Sequence, residues 1–173
     1  LFQSNMADGS GGGIYSEDGA LDVAIDACAF NGNIALGNGG GLCLGSASTA
    51  SCLNTNFVAN EGGRFGGAAS VVSCQFDGCT FTANSADEIG GAVRSDGSSR
   101  LIGCNLFSNT AQRAGGLAGT AVETFVDQFD ACGNTGGDWF GNILDLEGIP
   151  LFCSSDCNGN GVDDAQEIES GLA

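Results

Sequence analysis

The side chains best suited to binding a ligand lie near the C-terminus, in the stretch DCNGNGVDDAQE at residues 156–167. This stretch alternates oxygen donors with a glycine that permits a sharp turn, and it ends in a glutamate that can bind a cation through both oxygens. Oxygen donors at this spacing suit a hard divalent cation, so the stretch predicts a calcium site. The predicted ligands are Asp156, Asn158, Asn160, Val162 through its carbonyl, Asp164 and Glu167.

The same stretch follows the EF-hand loop pattern at every specified position. It resembles the calcium loops of dockerin modules and of thrombospondin type 3 repeats, although dockerins carry two such loops and one is found here. The alternative interpretation is an Asn/Gly-rich turn with fortuitous acids. Cys153 and Cys157 flank the start of the loop and can anchor it, either to each other or to Cys132.

A second set of candidate residues combines two arginines with two carboxylates, at neighbouring positions of the repeat described below. Arg94, Arg113, Asp87 and Glu88 are the kinds of residue that polysaccharide lyases and glycosidases use. Ion pairs across a solvated face are the favoured interpretation. With no histidine and no lysine, the chain cannot build a histidine-based triad or a Schiff base. We therefore expect no enzyme, and polysaccharide binding or degradation is the alternative function.

Charge and cysteine content limit the possible partners and the compartment. The chain has 21 acidic and 4 basic residues, for a net charge of −17. Such a field repels nucleic acid and favours cations, and no apolar run is long enough for membrane insertion. Nine cysteines are typical of an oxidising compartment, although buried thiols in a cytosolic chain are the alternative. We therefore expect an extracellular or cell-surface protein.

The two arginines and two carboxylates lie on repeats, which precede the calcium loop in the chain. In the frame set by Phe30, Asn33, Ala35, Gly39 and Gly40, an aromatic or apolar residue precedes an asparagine by three positions, and two glycines follow it. The frame recurs every 24–28 residues at Asn5, Asn33, Asn60, Asn84 and Asn109. A weaker copy occurs at Asn134, where Phe140 and Gly141 take the glycine positions.

Each repeat holds short apolar alternations that predict strands, with no helical periodicity. A unit of this size cannot bury its own apolar face, so we expect stacked coils that pair as parallel strands. Stacking places equivalent residues above one another. The frame predicts an internal aromatic stack, a ladder of hydrogen-bonded asparagine amides and a glycine corner where positive φ is needed.

The units FNGN...GNGGGL, FVAN...FGGAA, FTAN...IGGAV and LFSN...AGGLA resemble the FxxN and GGA[ILV] repeats of chlamydial polymorphic outer-membrane proteins and related bacterial surface proteins. The resemblance covers residues 1–142. It implies a right-handed parallel β-helix in a secreted or surface-exposed passenger domain, often linked to adhesion. We expect an all-β solenoid of about five to six coils over residues 1–149 and a calcium-loop tail over residues 150–173, divided at Pro150.

Cysteines recur in one slot of the frame, five residues before the asparagine, at Cys28, Cys79 and Cys104. Because Cys79 and Cys104 fall in neighbouring coils, their Cα atoms should lie within disulfide range. A disulfide and a ladder of buried thiols are equally compatible with this spacing. Thr55 takes the slot in the coil between Cys28 and Cys79.

Taken together, these features predict a structural or adhesive surface protein stabilised by calcium. Leu1 falls inside a coil frame, so the first coil should offer unpaired strand edges. Contacts of this kind between copies generate filaments. We expect head-to-tail self-association, or binding to other surface proteins or glycans, and a fragment of a longer β-helix is the alternative.

Overall fold

The computed structural model describes residues 1–17, 23–45, 49–128 and 130–145, and the structural statements that follow concern these residues. They contain short strands and no helix. In chain order the strands are β1 Phe2–Gln3, β2 Met6–Ala7, β3 Ile14–Ser16, β4 Val23–Asp26, β5 Ala29–Asn31, β6 Ile34–Ala35, β7 Leu42–Leu44, β8 Thr49–Leu53, β9 Asn56–Val58, β10 Glu61–Gly62, β11 Ala69–Val71, β12 Ser73–Asp77, β13 Thr80–Thr82, β14 Ser85–Ala86, β15 Val93–Ser95, β16 Arg100–Ile102, β17 Asn105–Phe107, β18 Leu117–Asp127, β19 Asp130–Cys132 and β20 Trp139–Asp145.

The strands form three sheets in which each strand pairs in parallel with its equivalent one coil away. Sheet A contains β1, β5, β9, β13, β17 and β19, sheet B contains β2, β6, β10 and β14, and sheet C contains the other ten. Successive coils contribute the same slot to each sheet, as in the register Phe2↔Phe30. The chain is therefore a parallel β-solenoid of about five turns, which confirms the predicted all-β solenoid. The predicted boundary after residue 149 lies outside the described residues.

The aromatic slot forms a continuous stack inside the solenoid. Ring centroids lie 4.6 Å apart between Phe2 and Phe30, 4.8 Å between Phe30 and Phe57, and 4.9 Å between Phe57 and Phe81. Leu106 continues the stack in register with Phe81. The stack follows from the parallel pairing of sheet A, because each slot lies directly above its equivalent. The predicted aromatic stack is confirmed.

A further phenylalanine, Phe76 on β12, packs edge-on against this stack from sheet C. Its ring centroid lies 6.3 Å from that of Phe57 and 5.3 Å from that of Phe81, with nearly perpendicular ring planes. Edge-to-face packing of this kind adds to the burial of the rings. Phe76 is fully buried and ties sheet C to the stack of sheet A.

The glycine pair turns the chain from sheet B into sheet C. The first glycine has positive φ at Gly11, Gly39, Gly66 and Gly90, as predicted. At the second position glycine is required for a different reason, which is that neighbouring backbones leave no room for a Cβ atom there. A Cβ atom on Gly67 would lie 2.2 Å from the carbonyl oxygen of Gly91.

In the last two coils the predicted glycine positions are wrong. Ala114, with φ 51°, takes the place of the first glycine in the fifth coil, one residue before the predicted Gly115. After Asn134 the chain turns at Gly136 and Gly137, with φ 92° and 97°. Phe140 instead lies on β20, paired with Ala118, because this coil reaches sheet C by a shorter path.

Candidate functional site

The asparagine ladder is the most strongly specified polar feature of the described residues. Asn60 donates from its backbone N and from its side-chain Nδ2 to Oδ1 of Asn84, with both distances 2.9 Å. Its Nδ2 also donates to the backbone carbonyl of Phe30 at 2.8 Å. The same pattern repeats along the stack, and the four central amides are fully buried at Asn33, Asn60, Asn84 and Asn109. The predicted amide ladder is confirmed.

The ladder has a direction, since in every bond between two asparagines the donor lies in the N-terminal coil and the accepting Oδ1 in the C-terminal one. Within the described residues Asn134 is the last asparagine of the ladder. Its backbone N and Nδ2 donate instead to Oδ1 of Asp138, at 3.2 Å and 2.7 Å. A carboxylate is a stronger acceptor than an amide oxygen, so Asp138 closes this end of the ladder.

The N-terminal end of the ladder is open within the described residues. Asn5 donates to Oδ1 of Asn33 at 2.8 Å from Nδ2 and 3.2 Å from its backbone N, while its own Oδ1 accepts no hydrogen bond. Strands β1, β2 and β3 lie at the edges of sheets A, B and C, and Phe2 covers the aromatic stack with one ring face. Met6 is 68% exposed beside them. Within the described residues, the first coil therefore has one unpaired strand edge in each of the three sheets.

A lateral face of the solenoid gathers three of the four arginines beside aromatic rings, and we call it the arginine–aromatic face. The guanidinium carbons of Arg64 and Arg94 lie 4.7 Å and 4.3 Å from the ring centroid of Phe65. That of Arg113 lies 4.0 Å from the centroid of Phe140. These are cation–π distances, so the rings hold the arginines against the surface.

The alternative arrangement, a cluster of Arg94 and Arg113 with Asp87 and Glu88, is not formed. Arg94 pairs with Asp96 on its own coil, and Glu88 pairs with Arg64 at 3.0 Å across coils. Arg113 makes no ion pair within the described part of the chain and rests on Phe140 instead. The exposed Arg64–Glu88 pair agrees with the favoured interpretation of ion pairs across a solvated face. The cluster does not form because Arg94 and Arg113 project from different slots, each toward its own ring.

All six predicted calcium ligands, Asp156, Asn158, Asn160, Val162, Asp164 and Glu167, lie outside the described residues, as do Cys153 and Cys157. Within residues 1–145 as described, no group of three or more His, Cys, Asp or Glu side chains is placed to hold a metal ion.

The same part of the chain has no helix able to cross a bilayer. Cys132 is disulfide-bonded.

The coil geometry defines a repeat protein of the parallel β-solenoid class. More particularly, residues 1–17 match the model of the Chlamydia polymorphic membrane protein repeat. The matched segment holds the first frame, with Phe2, Asn5, Gly11 and Gly12 in their slots. The match and the solenoid fit a repeat protein of this type and point to the outer membrane or cell surface. No curated protein and no solved structure matches the chain.

Proposed function

We propose that this protein is a structural and adhesive β-helix of the cell surface or extracellular space, which joins other β-helix segments end to end. The observation that carries the proposal is the difference between the two ends of the asparagine ladder. Asn5 offers an acceptor and three strand edges accompany it, whereas Asp138 occupies the donors at the other end. Unpaired parallel edges are strong sites for adding strands.

The partner that we propose for the open end is a second copy of the chain, docked head to tail. The incoming coil would bring Asn134 above Asn5, and its two N–H donors would then face the Oδ1 of Asn5. Because Asp138 holds those donors within each copy, docking requires Asp138 to turn away. A repeated contact of this heterologous kind generates filaments.

Sedimentation velocity across a concentration series tests this proposal. We expect Asp138→Ala to shift the chain toward larger species, because the donors of Asn134 are released. Adding Phe2→Glu to Asp138→Ala should reverse the shift, because a charge then faces the end of the aromatic stack. Exposed Asp8→Ala is the matched control and should sediment like the parent chain. A monomeric Asp138→Ala chain at high concentration would contradict the assembly.

We further propose that the stretch at residues 156–167 binds calcium and stabilises the protein. The support is the order of oxygen donors in the sequence, from Asp156 to Glu167. Calorimetric titration should give a calcium affinity that Asp156→Ala weakens, together with a calcium-dependent rise in Tm that the variant loses. Asp8→Ala should retain both. Identical titrations for the parent chain and Asp156→Ala would remove the calcium claim.

A second candidate function, polysaccharide recognition, is favoured by the arginine–aromatic face. Phe65 and Phe140 offer apolar ring surface, and Arg113 has donors that no carboxylate occupies within the described residues. Sugar rings combine apolar faces with hydroxyl acceptors, which such a surface can contact. Binding to a panel of acidic and neutral glycans should weaken with Arg113→Ala. Release of reducing ends that is lost with Arg94→Ala or Arg113→Ala would indicate degradation, and a blank panel would remove this function.

A further inference from the structure

Four cysteine side chains lie in the apolar core of the solenoid, in two pairs that bridge neighbouring coils. Cys52, Cys74, Cys79 and Cys104 are all buried, with exposed fractions of 0–4%. All four are free thiols. They belong to one apolar cluster with Phe57, Phe76 and Phe81. A cluster of thiols inside one core is a distinct chemical feature that neither assembly nor calcium binding uses.

The first pair joins strands β8 and β12. Their parallel register places Cys74 opposite Ala50 and Phe76 opposite Cys52, so the two cysteines are diagonal neighbours on adjacent strands. The Sγ atoms of Cys52 and Cys74 lie 3.9 Å apart, in hydrogen-bond contact. Both side chains point into the core. Diagonal neighbours on adjacent strands have Cα atoms about 7–8 Å apart, so closing this bond also requires the two strands to shift toward each other.

The second pair lies in the cysteine slot of the frame. Cys79 and Cys104 immediately precede the paired residues Thr80 and Asn105, so they are stacked at coil spacing. That spacing is about 4.8 Å between Cα atoms, within the range that a disulfide spans. Each thiol donates to a backbone carbonyl, Cys79 to that of Cys52 at 3.2 Å and Cys104 to that of Ile102 at 3.4 Å. The Cys104 thiol beside it lowers the pKa of Cys79, and the Cys79 thiol, followed by burial, raises the pKa of Cys104.

The other described thiols have no such partner. Cys28 occupies the same slot as Cys79, but Thr55 lies in the coil between them, where its Oγ1 donates to the carbonyl of Leu53 and accepts from the backbone N of Cys28. Cys43 lies in a separate slot of β7, paired with Ser70 and Tyr15. Geometry therefore selects two pairs among the six free thiols.

We propose that Cys52 with Cys74, and Cys79 with Cys104, are two sites of oxidative modification at which cross-coil disulfides form in an oxidising compartment. The oxidant is a low-molecular-weight or protein disulfide. One cysteine thiolate attacks that disulfide and releases one thiol, and the second cysteine thiolate then attacks the mixed disulfide and releases the other. Each pair of thiols loses two electrons and two protons, which reduce the oxidant disulfide to two thiols.

The exchange takes place before the coils close. In the folded chain no oxidant reaches these sulfurs, and burial, followed by the neighbouring Cys52, raises the pKa of Cys74 well above its ordinary value. A thiol that stays protonated and buried is inert toward exchange. Once formed, each bond links adjacent coils and restricts the unfolded chain, so oxidation should raise the Tm of the solenoid.

The experiment is oxidative refolding of the full chain in a glutathione redox buffer, followed by alkylation in denaturant and peptide mapping by mass spectrometry. We expect cross-linked peptides for Cys52–Cys74 and for Cys79–Cys104, with Cys28 and Cys43 alkylated. A chain folded under reductant and then exposed to the same buffer should keep these four thiols, because they are buried. Absence of either cross-link, or scrambled pairing among the four sulfurs, would overturn the assignment of that pair.

Single variants separate the two sites. Cys104→Ala should abolish one cross-link and leave Cys79 alkylated, while the Cys52–Cys74 cross-link remains. Cys28→Ala is the matched control from the same slot and should change neither cross-link. Mapping of the parent chain decides the proposal even where a variant folds poorly, because both cross-links are read there directly.

Discussion

Replacing Asn84 with alanine tests whether the asparagine ladder holds the coils together. The Asn84 side chain makes four hydrogen bonds: two that its Oδ1 accepts from Asn60, and two that its Nδ2 donates to the Phe57 carbonyl and to Asn109. Alanine leaves the backbone N–H and one side-chain N–H of Asn60 without an acceptor. Asn60 is fully buried, so water cannot replace the lost partner.

The magnitude follows from these two donors. A buried polar group left without a partner costs about 1–3 kcal/mol, so Asn84→Ala should lower the free energy of unfolding by about 4 kcal/mol. In a domain of this size that corresponds to a fall in Tm of roughly 10 °C. The lost contacts of Nδ2 with Phe57 and Asn109 act in the same direction.

Asn5→Ala is the matched control, because it removes the same type of side chain from the same ladder as Asn84→Ala does. Asn5 is exposed and its Oδ1 accepts nothing, so its removal deletes one donor while Asn33 still accepts from the backbone of residue 5. We expect a loss below about 1 kcal/mol. Urea unfolding followed by circular dichroism, with a common slope, gives both values. A loss for Asn84→Ala within about 1 kcal/mol of that for Asn5→Ala would refute the reasoning.

The remaining predictions concern the stack, the corner and the surface. Phe57→Ala should cost about 4 kcal/mol in urea unfolding because it opens a cavity between two stacked rings, whereas Phe57→Leu should cost less than half as much. Gly66→Ala should cost about 3 kcal/mol, since its Cβ would lie 2.3 Å from the Ala69 oxygen at positive φ. Gly32→Ala, also at positive φ but with open space around it, should cost about 1 kcal/mol, and equal losses would contradict the role of close approach. Glu88→Gln should change the unfolding free energy by no more than about 0.5 kcal/mol, because its pair with Arg64 is exposed, and a larger loss would show that the pair is structural.

Much of the interior could be predicted because the frame repeats. Phe30, Asn33 and Gly39 mark three slots whose roles follow from side-chain chemistry once parallel stacking is assumed. The positions in one coil then predict those in the next, so the aromatic stack and the amide ladder could be predicted without knowledge of tertiary contacts. Phe76 was missed because it lies outside the frame, and its edge-on contact depends on how sheet C closes against sheet A.

Two turns of each coil could not be predicted, because residues other than glycine occupy them in many coils, while glycines such as Gly32 and Gly78 occupy them in others. Ala59 and Ala83 have φ of 52° and 55°, two residues after the aromatic slot, and Ala27 and Asn54 have φ of 48° and 47° before sheet A. Residues other than glycine rarely adopt this conformation, so sequence gives little indication of it. At Ala59 and Ala83 it persists because a buried asparagine follows directly and is held in one orientation by the hydrogen bonds of the ladder.

The role of Asp138 illustrates a second limit of prediction. The sequence places Asn134 in a weakened copy of the frame, but a cap depends on where the chain returns four residues later. Gly136 and Gly137 both have positive φ and let the backbone fold back over the ladder. The cap therefore depends on a turn at Gly136 and Gly137, whereas the frame predicted the turn at Phe140 and Gly141.

The common direction of the asparagine amides also has an electrostatic consequence. Each side-chain dipole has its N–H end toward the C-terminal coils, so the dipoles from Asn5 to Asn134 add along the axis. The row resembles the macrodipole of an α-helix, with positive potential at the Asn134 end and negative potential at the Asn5 end. The carboxylate of Asp138 sits at the positive pole. A cation or an N–H donor is the complementary group at the other pole, and this gives the solenoid an electrical polarity in addition to its strand polarity.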